Sequence, residues 1–298
     1  MVMVKVPASS ANLGPGFDTL GLALNLCCTL EIQESTTGGS FETLGKGMEH
    51  IPPDPGENLI IRAMRQVFDR EHCSMPEMDI RVNSQIPMAR GLGSSAAAVV
   101  AGLCAADALL GSKMTKTQLL ELALSLEGHA DNVVPALLGG LNSVMIYQGR
   151  VYYQRIPVPA DLQVVAVVPD YFLPTEQARA VLPNEVSLAD TVSNLQRACF
   201  LVAGFFNGDL THLDKAMDDM VYQPRRKHMI PGFDQVLSAA RQAGALGAAL
   251  SGAGPSILAF CKENGQKVGE AMQQGFAAVG MKSDIYILQP NFEGAVIV

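Results

Sequence analysis

The 298-residue chain has no tryptophan, no internal repeat, no C-x-x-C pair among its six cysteines and no apolar run of membrane-spanning length. Without about 20 consecutive apolar residues, a transmembrane helix is not expected. The opening Met1-Val-Met-Val-Lys-Val-Pro7 lacks the layout of a signal peptide. Cys27, Cys28, Cys73, Cys104, Cys199 and Cys261 lie mostly in apolar surroundings, so they read as free thiols of a reducing cytosol, and a cytoplasmic location is expected. Positive charge is also short: 21 Lys and Arg stand against 29 Asp and Glu, a net charge of −8. That balance argues against nucleic acid as the main partner, and a polyanionic ligand would need a local positive site.

With 48% hydrophobic and 17% charged residues, the chain has a globular composition. Its length exceeds what one core comfortably serves, so two domains are expected. Pro157-Val-Pro159 marks the boundary, giving segments 1–157 and 158–298.

The most informative stretch runs from residue 78 to residue 110. Met78, Ile80, Val82, Ser84 and Ile86 alternate with polar residues, which predicts a half-buried strand. Ala96 to Leu110 is almost wholly apolar, with Asp107 its one charge, which predicts a helix buried on most sides and ended near Gly111. Between them lies a glycine-bearing loop. Gly91 and Gly93 let backbone N–H groups approach an anion, and the first helical turn leaves N–H groups free. Ser94 and Ser95 add hydroxyls that could touch phosphate or Mg²⁺. An ordinary capped strand-to-helix turn, with serine as N-cap, is the alternative reading of the loop taken alone. The stretch is neither G-x-x-x-x-G-K-[S/T] nor G-x-G-x-x-G.

Elsewhere, Val2 to Val6 is a short strand that enters a predicted loop from Pro7 to Asp18, in which Asn12 and Asp18 could meet a ligand. A strand follows over 22–32, then a loop over 37–56 and a helix from Asn58 to Arg70, with Leu59, Ala63 and Val67 on one face. Thr115 to Gln118 has capping-box spacing and opens a helix that ends near Gly128. On it Glu127 shares a stripe with Leu119 and Ala123, and it precedes Asp131 and Asn132. Oxygen donors crowded in this way suit a hard cation; a solvated helix end is the plainer alternative.

A hairpin (142–147 and 151–156), a strand (162–168), a helix (187–206), strands at 245–250 and 256–261, a helix (264–279) and a last strand (284–288) complete the chain. The order in the second half is β-α-β-β-α-β with extra helices, a ferredoxin-like sandwich. Thr175 and Arg179, the run Arg225-Arg226-Lys227 and the turn Gly252-Ala-Gly-Pro255 are either surface features or parts of an anion site, and the turn could pack on the first glycine loop across the boundary.

Together these pieces resemble the GHMP kinases, the family of galactokinase, homoserine kinase, mevalonate kinase and phosphomevalonate kinase. Pro87-x-x-x-Gly-Leu-Gly-Ser-Ser-Ala-Ala97 is similar to the family's ATP-phosphate motif, and Leu250-Ser-Gly-Ala-Gly-Pro-Ser256 to its C-terminal glycine motif. Pro7-Ala-Ser-Ser-Ala-Asn-Leu-Gly-Pro-Gly-Phe-Asp18, Glu127-Gly-His-Ala-Asp-Asn132 and Gln223-Pro-Arg-Arg-Lys-His-Met-Ile-Pro-Gly-Phe233 resemble its homoserine-phosphorylating branch. Five motifs in order are far harder to meet by coincidence than one.

The resemblance implies an α+β, two-domain fold: a ribosomal-S5-like N-terminal domain, a ferredoxin-like C-terminal domain and the active site between them. It implies ATP-dependent phosphorylation of L-homoserine on the way to threonine, with Mg²⁺, and a homodimer. Pro87, Met88, Ala89, Arg90, Gly91, Leu92, Gly93, Ser94, Ser95, Ala96 and Ala97 would bind ATP phosphates, with Asn58 and Leu59 near adenine. Ser94 or Ser95 and Glu127 would hold the metal. Asn12, Asp18, Asn132, Thr175, Arg179 and Arg226 would line the amino acid, Asp18 meeting its ammonium and an arginine its carboxylate. Glu127, Ser95, Asn132 and Arg179 would be the catalytic set. No dedicated general base is expected, which leaves Asp131 a mainly structural part. Gln223 and Arg225 depart from the glutamate and tyrosine common in relatives. A kinase for another small alcohol and a silent nucleotide-binding regulator are the alternatives.

Overall fold

The computed structural model describes residues 1–36, 38–45, 51, 52, 54 and 56–298. Strands β1 (Val2–Asn12) and β2 (Gly16–Glu34) form a long antiparallel pair. Next come β3 (Ser40–Gly45), α1 (Leu59–Arg70), β4 (Met78–Ser84), α2 (Ser94–Leu109), α3 (Lys116–Glu127), α4 (Val133–Leu138), β5 (Leu141–Tyr147) and β6 (Arg150–Ile156). One half of β2 pairs with β4 from Cys28↔Ser84 to Glu34↔Met78, and the other half pairs with β5 around Gly21↔Asn142. The sheet therefore has a main path β11-β1-β2-β4-β3, with the β5–β6 hairpin branching from β2; β11 is the short C-terminal strand defined below.

Helix α2 is buried nearly all round, as its composition predicts. Small residues make this possible. A Cβ at Gly102 would sit 2.5 Å from the Ile60 carbonyl oxygen of α1, so the two helices touch backbone to backbone. Asp107, the one charge, accepts a hydrogen bond from the Met114 N–H at 2.9 Å. Thr115 and Gln118 form the reciprocal capping box, and Gly128 ends α3 in the left-handed region.

Three sequence expectations are corrected in this half. The predicted loop 7–18 is mostly strand, and only Leu13–Pro15 turns. Ala8, Ser9, Ser10 and Ala11 are buried on both faces, and the register shifts at Pro7/Ala8 and Ala11/Asn12, so no period of two marks the strand. Within the predicted loop 37–56, residues 40–45 form β3, an edge strand parallel to β4; Thr37, 46–50, Pro53 and Pro55 lie outside the described residues. Gly93, not a serine, is the N-cap of α2.

The second half contains β7 (Gln163–Pro169), α5 (Thr175–Ala180), α6 (Leu188–Asn207), α7 (Leu213–Ala216), α8 (Gln223–Arg226), α9 (Phe233–Ala243), β8 (Gly247–Leu250), β9 (Ile257–Cys261), α10 (Gly265–Ala277) and β10 (Ser283–Leu288). Its sheet is antiparallel in the order β10-β7-β9-β8, with α9 and α10 as the two crossovers. This is the ferredoxin-like arrangement expected from the element order. Helices α5 to α8 are inserted before the first crossover. After β10 the chain returns to the first sheet: Pro290 bridges Leu24, Gly140 donates to the Asn291 carbonyl at 2.6 Å, and β11 (Val296–Ile297) pairs with β1. No described helix is long and apolar enough to cross a membrane, and all six cysteines are free thiols. Burial pushes Cys28 up to about 11 and Cys104 up to about 12, so both are unreactive.

The turn 251–256 does pack on the glycine loop. Ser251 Oγ donates to the Gly91 carbonyl at 2.7 Å, Ser256 Oγ donates to the Arg90 carbonyl, and Gly252 N donates to the Ala11 carbonyl at 3.1 Å. Gly91 has φ +79°, and a Cβ there would stand 2.2 Å from the Ser251 carbonyl oxygen. Gly91→Ala is therefore expected to cost about 2–4 kcal/mol, through overlap with fixed backbone and a disfavoured φ. Urea unfolding of the variant against wild type measures the loss.

Candidate active site

A cavity of about 570 Å³ lies between the two halves. One wall is the head of α2. Gly93 caps it in the left-handed region with no side-chain hydrogen bond, so the first-turn N–H groups are not capped by a neighbouring side chain. A Cβ at Gly93 would lie 2.1 Å from Ser9 Oγ, which is why the loop can seat so close to β1. Met88, Ala89, Gly91, Gly93, Ser94, Ser95 and Ala96 line the cavity, as the phosphate-loop expectation requires. Pro87, Arg90, Leu92 and Ala97 do not. Leu92 and Ala97 are core residues, and Arg90 turns away toward Asp170 (3.6 Å) and the Phe172 ring (5.8 Å to its centroid).

Ser95 Oγ donates a short hydrogen bond to Glu127 Oε1, so the hydroxyl at the head of α2 meets the carboxylate at the end of α3. Asn58 and Leu59 line the far end. Asn58 Oδ1 accepts from Ile60 N (3.0 Å) and Ile61 N (3.3 Å), so this side chain first of all caps α1.

The opposite wall is charged. Asp18 and Arg179 form a fork, Nη2 to Oδ1 at 2.7 Å and Nη1 to Oδ2 at 3.1 Å, and Asp18 holds the guanidinium pKa above its usual range. Arg226 is only 1% exposed; it donates through Nε to the Ala178 carbonyl (2.9 Å) and through Nη1 to the Gly252 carbonyl (3.1 Å). Burial lowers its pKa. The two guanidinium groups lie 5.5 Å and 5.4 Å from the Phe17 ring centroid, and Arg226 also lies 5.2 Å from that of Tyr222. Tyr222, fully buried, donates to the Gly14 carbonyl.

Asn12 lines the cavity but is already engaged at both ends. Its Nδ2 donates to the Gly252 carbonyl at 3.0 Å and its Oδ1 accepts from Asp18 N at 3.0 Å. It aims Asp18 and ties β1 to the 251–256 turn. Asn132 Oδ1 accepts from Ser9 Oγ at 3.0 Å, and Asp131 Oδ1 accepts from Asn132 N at 3.0 Å. Thr175 opens α5 at the cavity edge.

Sequence reasoning missed His129 and Phe17, both of which line the cavity. His129 Nδ1 is 3.2 Å from Asp131 Oδ1, an ion-pair approach without hydrogen-bond alignment. Burial lowers its pKa, but the carboxylates of Asp131 and Glu127 outweigh this and the net direction is upward. Its signal was its place between Glu127 and Asp131. The two departures flagged in the sequence, Gln223 and Arg225, are not in the lining. Gln223 Oε1 accepts from Leu250 N at 2.7 Å, a task that needs only an acceptor, and Arg225 is exposed.

A two-domain α+β fold with a glycine loop at a helix head, facing a charged pocket across the junction, defines a small-molecule kinase. The chain belongs to the GHMP kinases: residues 58–140 match the GHMP kinases N terminal domain, and residues 201–278 match the GHMP kinases C terminal domain. Within that family, curated homoserine kinases match it over nearly the full length. It is 43% identical to the homoserine kinase of Moorella thermoacetica, with the whole of both chains covered, and 41% identical to that of Carboxydothermus hydrogenoformans, over 99% of this chain and 96% of the relative. The crystal structure of homoserine kinase from Cytophaga hutchinsonii superposes with a TM-score of 0.91 at 34% identity, covering 100% of this chain and 97% of that one.

The Asp18–Arg179 fork is partly exposed, at 37% on each side. A double-mutant cycle of Asp18→Asn and Arg179→Met is expected to give a stability coupling of about 1 kcal/mol or less, shrinking in 1 M NaCl. Thermal unfolding of the four proteins at two salt concentrations measures it.

Proposed function

We propose that the chain transfers the γ-phosphoryl group of ATP to the hydroxyl of L-homoserine, giving O-phospho-L-homoserine and ADP. The observation that carries this reading is the single cavity in which the α2 head, with Ser95 and Glu127, faces Asp18, Arg179 and Arg226. The relatives matched over the full length support the same substrate.

In this reading segment 1–157 supplies the nucleotide side and segment 158–298 most of the acceptor side. The N–H groups of the loop and first α2 turn hold the ATP phosphates, and Asn58 and Leu59 border the base. The donors at the α2 head are all oxygen, as a hard cation prefers, and they fit Mg²⁺ with Ser94 or Ser95 and Glu127 as its protein ligands. When bound, Mg²⁺ neutralises charge on the phosphate oxygens. Asp18 binds the ammonium group and Arg179 and Arg226 the carboxylate. The amino acid exchanges into the existing fork charge for charge, so a zwitterion leaves neither partner unpaired, whereas mevalonate or a sugar leaves Asp18 or an arginine without one. Asn132 and Thr175 orient the side-chain hydroxyl.

Positioning and charge compensation suffice for the transfer, without a dedicated base. Asp131 is engaged by Asn132 N and by His129, which suits an orienting part for its carboxylate.

A coupled assay for ADP with Mg²⁺-ATP tests the reading, screening L-homoserine against D-homoserine, serine, threonine, mevalonate and galactose. Turnover is expected with L-homoserine alone. Glu127→Gln is expected to lower kcat about 10²–10³-fold. Asp131→Asn is expected to keep kcat within about tenfold; a loss of several orders with unchanged KM means that Asp131 is a base after all. ATP binding with no turnover on any alcohol points to a nucleotide-binding regulator.

A further inference from the structure

Asp219 does not line the cavity, yet the backbone that carries Arg226 into it is tied to this carboxylate. Helix α8 is four residues long, too short to be stable alone, and Arg226 is its last residue. Its N-cap, Tyr222, makes no side-chain cap. Asp219 takes that part from three residues upstream. Its Oδ2 accepts from Tyr222 N at 3.0 Å and Gln223 N at 2.6 Å, and its Oδ1 accepts from Val221 N at 3.0 Å. Asn194 of α6 supplies a fourth donor, Nδ2 to Oδ1 at 2.6 Å, and its own Oδ1 accepts from Met220 N at 2.9 Å. Asp219 is 4% exposed, and the four N–H groups compensate the desolvation of its carboxylate.

We propose that Asp219 is a positioning residue: by fixing α8 it sets the place and direction of the Arg226 guanidinium, and thereby the selectivity of the cavity for a ligand carboxylate. The inference rests on the functional reading above, in which Arg226 meets the carboxylate of L-homoserine. Three observations favour this part over that of a cap serving stability alone. The carboxylate and the guanidinium stand at opposite ends of one helical turn, the order that peptide dipoles favour, so Asp219 acts on Arg226 through the backbone. Its charge also favours the cationic form of Arg226, against the burial that lowers that pKa. Finally, α8 has other anchors. The Tyr222 hydroxyl donates to the Gly14 carbonyl, and Gln223 Oε1 accepts from Leu250 N at 2.7 Å. These bonds hold the segment whatever stands at position 219, and what the carboxylate adds is the direction of the turn that ends in Arg226.

Steady-state kinetics of Asp219→Asn on the full chain tests the proposal, with L-homoserine and with L-homoserine amide, which lacks the carboxylate, as substrate or competitive inhibitor. In the variant an NH₂ group replaces one acceptor oxygen, and the negative charge is lost. The KM for L-homoserine is expected to rise about 10–100-fold, with the KM for ATP within about twofold and the constant for the amide raised less than about threefold. Asp107→Ala, which removes the buried hydrogen bond to Met114 N at the far end of α2, is the control for stability alone: its Tm is expected to fall with every KM within about twofold of wild type. An unchanged KM for L-homoserine in folded Asp219→Asn overturns the proposal, and so do equal rises for L-homoserine and the amide. Should that variant fail to fold, Asn194→Ala, which takes one donor from the carboxylate, is expected to raise the KM for L-homoserine about 3–10-fold and spare the amide, and the lack of that split overturns the proposal. A wild type that does not turn over L-homoserine overturns the functional reading and the inference with it, an outcome distinct from an active wild type with an indifferent variant.

Discussion

The structure depends on one contact: the 251–256 turn of the second half clasping the backbone of the glycine loop in the first. Ser251 and Ser256 side chains satisfy the Gly91 and Arg90 carbonyls, while Gly252 is held between the Ala11 carbonyl and the Asn12 amide. Loop carbonyls pulled backward in this way leave the loop N–H groups and the head of α2 for the cavity. An anion site built from backbone is only as good as the scaffold that fixes it, since the same groups in a floppy loop would be solvated and would have to be ordered on binding. The contact therefore does two tasks: it joins the halves, and it fixes the loop that in the proposed reading holds the ATP phosphates.

The same clasp organises the charged wall of the cavity. Asn12 links Gly252 to Asp18 N, and Arg226 donates to the Gly252 carbonyl from the other direction. Gly252 is thus the shared anchor of a carboxylate and a guanidinium that belong to different halves. Both Arg179 and Arg226 approach the Phe17 ring, which offsets part of the repulsion between the two cations. Asp18 offsets part of that repulsion, and its fork with Arg179 keeps both groups partly dehydrated and aimed.

Much of this architecture was legible in the sequence, wherever local pattern decides structure. The β4 alternation, the all-apolar α2, the capping box of α3 and the ferredoxin-like order of the second half follow from periodicity and caps. The glycine loop, Glu127, Asp18 and Arg179, which the family resemblance groups together, do line one cavity. What stayed hidden depends on distant partners. The reach of β1 to Asn12 is invisible because Ser9 and Ser10 are buried against Asn132 and Ser251, more than a hundred residues away. The edge strand β3 exists only by pairing with β4. Short helix α8 is nucleated by Asp219, whose carboxylate collects the N–H groups of Val221, Tyr222 and Gln223, and nothing in the local spacing announces it. His129 carries no local signal beyond its place between Glu127 and Asp131, and its approach to Asp131 at 3.2 Å is set by the turn after α3.

Burial also decides which arginine can do what. Arg179 is partly exposed, on a short helix, and among the described residues its guanidinium hydrogen-bonds to Asp18, so in the proposed reading it can change partner when a carboxylate arrives. Arg226 is buried and held by its neighbours before any ligand appears. Two backbone carbonyls and two aromatic faces hold it, and moving it would strand the Ala178 and Gly252 carbonyls. A buried cation with no carboxylate bonded to it among the described residues is costly, and burial lowers its pKa. An incoming anion relieves it. In the proposed reading the two arginines divide the task physically: Arg226 would supply a standing, under-compensated positive field, and Arg179 the partner that moves. A binding pocket assembled from two fixed arginines would bind any small anion; one fixed and one already engaged by Asp18 favours a ligand that returns a positive charge to Asp18 as it takes Arg179 away.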